Sequence, residues 1–108
     1  MIDSQGQGTQ TVTPRFLLRS AAAMGRCARE LAALGPPPSL MRQRYQMARQ
    51  ACAAFARAAK LNVAAAHVMS TAGGNDPRLS NLFHQGDTDV NQGFTLISNA
   101  TFQVPSQP

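Results

Sequence analysis

Cys27, Cys52, His67 and His84 are the side chains best able to act as nucleophile, base or metal ligand in this chain. A zinc site needs three or four such groups converging. His67 and His84 flank the Gly73–Gly74 pair at similar heights, and His84 stands three residues from Asp87, on one helical face. His67, however, shares its face with arginines, which repel a cation. The two histidines therefore read as surface residues. For the cysteines, setting Leu34 level with Leu40 across the Gly-Pro-Pro-Pro segment places Cys27 beside Met47. Cys52 then lies about five residues, or roughly 7 Å, off level. A disulfide wants its α-carbons within about 7 Å in total. The spacing argues for two unbonded, small core residues in a reducing compartment, with no histidine placed to activate either one.

The carboxylates offer one further pattern. In GDTDVNQG, Asp87, Asp89 and Asn91 alternate as in the opening of a calcium loop. That loop wants glycine sixth and a bidentate glutamate twelfth, where Gln92 and Ser98 stand. The stretch reads instead as an interruption near Gly86, with Asp87 or Thr88 capping a new turn, or as a weak continuous helix. No paired carboxylates, glycine-rich phosphate loop or serine with a base accompany these groups. The expectation is a protein that is not an enzyme and takes no cofactor or metal.

The cations are more orderly. At 100° per residue, Arg42, Arg49, Arg57 and Lys60 fall within about 80° of one another. Arg15, Arg19, Arg26 and Arg29 do the same on the preceding helix. Rows like these could neutralise a phosphate backbone. No helix-turn-helix spacing, zinc-finger pattern or base-stacking aromatic platform accompanies them. Nine arginines against one lysine also reflect GC-rich codon usage, which weakens any argument from guanidinium geometry. Residues 1–72 hold nine of the ten cations with Asp3 and Glu30, net +7, whereas residues 73–108 hold Arg78 with Asp76, Asp87 and Asp89, net −2. Such asymmetry suits an anionic partner or pairing between copies; its plainer reading is a solvated basic face.

Three elements must carry these residues. Thr13 can cap a helix opened by Pro14, with apolar positions Leu17, Ala21, Met24, Ala28 and Leu31. Gly35 and three prolines close it. Ser39 can cap a second helix whose stripe reads Met41, Tyr45, Ala48, Cys52, Phe55, Ala59, Asn62, Ala66 and Met69, ended by Gly73-Gly74. Asp76-Pro77 restarts the chain, and a third stripe runs Leu79, Phe83, Gly86, Val90, Gly93, Ile97, Ala100 and Val104. Asn62 on the second stripe suits either fixing of register or an edge position. The expected fold is all-α: an antiparallel three-helix bundle with helices near 14–34, 39–72 and 77–103. A disordered arm over 1–13 and a tail over 105–108 flank a single domain over 14–104.

The apolar arc of helix 2 covers about 200°, twice what one neighbour needs. Helix 2 therefore sits between the other two or meets another copy. Gly86 and Gly93, one heptad apart, would let Phe55 or another helix come close. The leading functional expectation is a noncatalytic helical interaction or assembly module. It would meet a protein partner or a second copy through Met41, Tyr45, Ala48, Cys52, Phe55, Ala59 and Asn62. The alternative is nonspecific binding of nucleic acid or another polyanion by the arginine rows. No run of 18 apolar residues could span a membrane. The polar opening lacks a signal-peptide pattern, and although residues 14–34 have transit-peptide character, Glu30 and Asp3 argue against it. The expected place is the cytoplasm, with an exported or organelle-targeted form as the alternative.

Overall fold

A computed structural model describes residues 12–102, with side chains described through residue 100. The expectations for residues 1–11, Val104 and the tail lie outside these residues. Three α-helices follow one another: α1 Pro14–Ala33, α2 Arg42–Ala72 and α3 Arg78–Phe102, with a 3-10 turn over Ser39–Met41 before α2.

Most of the helix ends obey local chemistry. The Thr13 hydroxyl accepts a hydrogen bond from the Phe16 N–H at 3.0 Å, and Pro14 fills the first turn, where its missing N–H costs nothing. Gly35 and Gly73 close α1 and α2 with φ of 81° and 90°, a region that favours glycine. The Asp76 carboxylate accepts from the Arg78 N–H at 2.9 Å and so caps α3. Ser39 does not cap α2: it lies inside the 3-10 turn, and no side chain caps that turn or the helix after it. After a turn at Leu34 and a bend at Pro36 the chain reaches Pro38, which is extended at φ −56°, ψ 150°.

The third helix is continuous through Gly86, which settles between the two forms expected there. Its poor helix formers are held by tertiary contacts. Gly86 faces Leu61 and Asn62, and Gly93 faces the Phe55 ring. Arg57 reaches across from α2, giving Nε to Asp89 Oδ1 at 3.3 Å and Nη2 to Gln92 Oε1 at 3.0 Å. Thr88 donates back to the His84 carbonyl at 3.0 Å, inside the helix and not as a new cap.

Helix α2 is the spine. It packs on both α1 and α3, yet among the described residues no α-carbon of α1 comes within 8 Å of one in α3. The three helices thus form an open bundle. The radius of gyration is 17.0 Å, against about 13 Å for a compact chain of this length. The core is made of small residues: Ala51, Ala54, Ala58, Ala65 and Ala66 are buried, with Leu17, Val68 and Leu79. Among the described residues, Leu17 and Leu79 are the most deeply buried large side chains, at 3% and 4% exposure. Leu17 meets Ala65, Ala66, Val68 and Leu79 in one cluster, joined by Met69, Leu82 and Phe83.

Candidate interaction groove

Because α1 and α3 diverge over α2, a groove runs between them. Ala48, Cys52 and Phe55 of α2 form its floor at one end, with Met24, Leu31 and Leu34 on the α1 wall and Phe94 and Ile97 on the α3 wall. This end encloses about 590 Å³. Toward the other end, Asn62 takes over the floor between Leu17 and Ser20 on one side and Phe83, Gly86, Asp87 and Val90 on the other, around about 310 Å³. Phe55 and Phe94 meet edge to face, centroids 5.4 Å apart at 74°. Phe94 nevertheless remains 60% exposed and Leu34 66%. Among the described residues, Glu30 and Asp87 are the charged ones lining the two ends.

Of the expected stripe of α2, Ala48, Cys52, Phe55 and Asn62 line the groove, Tyr45 lines a separate hollow, and Met41 and Ala59 line neither. Met41, Tyr45, Ala48, Phe55, Ala59 and Asn62 are half-buried, and only Cys52 is buried. The fully covered side is one step round: on a 100° projection Ala51, Ala54, Ala58 and Ala65 turn toward α3. Alanine there, opposite Gly86 and Gly93, lets the two backbones approach, so the tightest packing falls on the smallest residues. The close approach expected at Gly86 and Gly93 is found, but the stripe itself did not include Ala51, Ala54, Ala58 or Ala65. It also missed Phe94, which lies one turn from Val90 on the groove side of α3. The alternation Phe83, Val90, Phe94, Ile97 carried the signal.

Cys27 and Cys52 are bonded, with α-carbons 5.3 Å apart. This overturns the expectation of two unbonded cysteines, and the cause lies in the connection between the helices. Residues 34–41, with a bend at Pro36, an extended Pro38 and the 3-10 turn, carry the chain past the end of α1 before α2 begins. The partner level with Cys27 becomes Cys52 instead of Met47. On the far side of this bond from the groove lies a second hollow of about 440 Å³, lined by Ala28, Leu31, Ala32, Tyr45, Arg49 and Ala56 among others.

The arginine rows do not make one surface. Arg15, Arg19, Arg26 and Arg29 are exposed on the edge of α1 turned away from α2; Arg42, Arg49, Arg57 and Lys60 are exposed on the back of α2, opposite the groove floor. On the projections the α1 row lies about 160° from the centre of that helix's buried side. Arg57 is engaged by Asp89 and Gln92, and Arg26 pairs with Glu30 at 3.7 Å. His67 and His84 are exposed, and no three His, Cys, Asp or Glu converge among the described residues. Asp87 and Asp89 sit on an unbroken helix, not in a loop that could wrap a cation. No described helix is long and apolar enough to cross a membrane.

The chain matches no protein family, curated protein or solved structure to which it was compared.

Proposed function

We propose that the chain is a noncatalytic helical assembly module that docks a second copy of itself along the α1–α3 groove. The observation that carries this reading is the exposure of Phe94, Leu34 and Ile97 around an apolar groove, in a fold whose described core is mostly alanine. Covering such side chains removes apolar area from water at about 25 cal/mol per Å². A second copy brings the matching apolar surface, since the same Phe94, Leu34 and Ile97 stand exposed on it. Among the described residues no lysine or arginine lines either end of the groove, so two grooves can meet without burying a cation. A polyanion reading has less support, since the two rows point in different directions and Arg57 is already engaged.

The place of action moves with the cysteines. A cytoplasmic setting rested on thiols kept reduced; a disulfide is the chemistry of an oxidising compartment, and we place the working protein in one.

Size-exclusion chromatography with light scattering tests the assembly reading. A dimer or larger species is expected for the oxidised chain, and Phe94→Ser with Ile97→Ser should return it to monomer without loss of helix content. A monodisperse monomer at high concentration overturns it.

A further inference from the structure

We propose that the Cys27–Cys52 disulfide is a redox-operated latch that holds the C-terminal half of α1 on α2. The two halves of α1 are held differently. Its buried residues are Leu17 and Ala21, both in the first half; Leu17 belongs to the cluster shared with Ala65, Ala66 and Leu79. From Ala22 to Ala33 no residue is buried, and Met24, Cys27 and Leu31 are only half-covered. Open space lies on both sides of this stretch, the groove on one and the 440 Å³ hollow on the other. The connection beyond it gives little support, because Leu34 and Leu40 are 66% and 89% exposed. Among the described residues, what joins this half firmly to the rest is the sulfur–sulfur bond. Gly25 stands between the two halves with nothing within 4 Å of where a Cβ would be, and glycine in mid-helix is a weak point in the backbone.

Reduction needs a dithiol reductant. Its thiolate attacks Sγ of Cys27, the more exposed partner, and the S–S bond breaks, with Cys52 leaving as a thiolate that takes up a proton. The reductant's second thiol then displaces Cys27 as a thiol, and the reductant departs as its own disulfide. Two electrons and two protons pass to the chain. With the bond gone, the helix pivots near Gly25, the first half stays on Leu17, and the groove and hollow merge over Tyr45, Ala48, Phe55 and Ala56. This opening belongs to the chain alone and does not depend on what the groove binds.

Hydrogen–deuterium exchange on the full chain, oxidised and after treatment with dithiothreitol, tests it, with thiol counting to certify both states. On reduction the amides of residues 26–34 should exchange at least tenfold faster, while those of α2 and α3 that face each other keep their protection. Cys27→Ser with Cys52→Ser should reproduce the reduced pattern in the absence of reductant. Unchanged exchange over 26–34 in the fully reduced chain overturns the latch. So does loss of protection throughout the chain at once, which would make the bond a staple for the whole fold, and so does failure of the air-oxidised protein to hold the bond.

Discussion

A methyl group at Gly93 would lie 2.7 Å from the edge of the Phe55 ring, whereas one at Gly86 would meet Leu61 and Asn62 at ordinary distances near 4 Å. Two glycines one heptad apart on the same helix thus have different reasons to be there. Gly93→Ala must displace an aromatic ring that also packs on Phe94, and overpacking of this kind costs about 1–3 kcal/mol, set against the roughly 1 kcal/mol of helix propensity that alanine gains there as well. Gly86→Ala meets no such obstacle and gains the helix propensity of alanine, about 1 kcal/mol. Chemical denaturation should show Gly93→Ala less stable than the parent and Gly86→Ala more stable. Equal effects at the two sites would contradict the packing described.

Arg57 ties two successive turns of α3 through Asp89 and Gln92. Its side chain is 51% exposed, so solvent screens the pair and Arg57→Ala should cost no more than about 1 kcal/mol of global stability. The local effect is larger in kind. The segment it clasps is rich in poor helix formers, so amides around Asp89 to Gln92 should lose exchange protection before the rest of α3. Uniform loss along α3 would show that the glycine contacts, and not the arginine, hold that segment helical.

Asp76 accepts hydrogen bonds from the Arg78 side chain and backbone, and these hold its carboxyl below the usual carboxylate range. A depressed native pKa means the contribution is present above the ordinary carboxylate value and is lost as pH falls through the lower native one. Asp76→Ala should therefore melt at a lower temperature than the parent near neutral pH. The two should converge as pH is taken down to about 2. A gap that persists in acid would assign the effect to something other than the charged cap.

The three helices and most of their ends were legible because they rest on local rules: the stripes of four and three, Thr13 before Pro14, Gly35 before the prolines, Asp76 before Pro77. The relation between the helices was not. Whether Cys27 meets Met47 or Cys52 depends on the path of residues 34–41, and a shift of about five residues along α2 follows from a connection that overshoots the end of α1 instead of reversing at once. Helix propensity likewise could not choose between a broken and a continuous α3, since the deciding contacts come from Phe55, Arg57 and Leu61 on another helix. The groove was half visible. Ala48, Cys52, Phe55 and Asn62 of the stripe named its floor, but which sides of α1 and α3 stand open depends on how each sits against α2, which the pattern of a single helix does not record.

The central claim is that the α1–α3 groove is covered by a second copy. Sedimentation equilibrium of the oxidised chain over a wide concentration range tests it most directly, with Phe94→Ser run beside it. The account predicts reversible self-association for the parent and at least a tenfold weaker association for the variant, which corresponds to about 1.4 kcal/mol or more. A single monomeric species at every concentration, or association unchanged by Phe94→Ser, would contradict it.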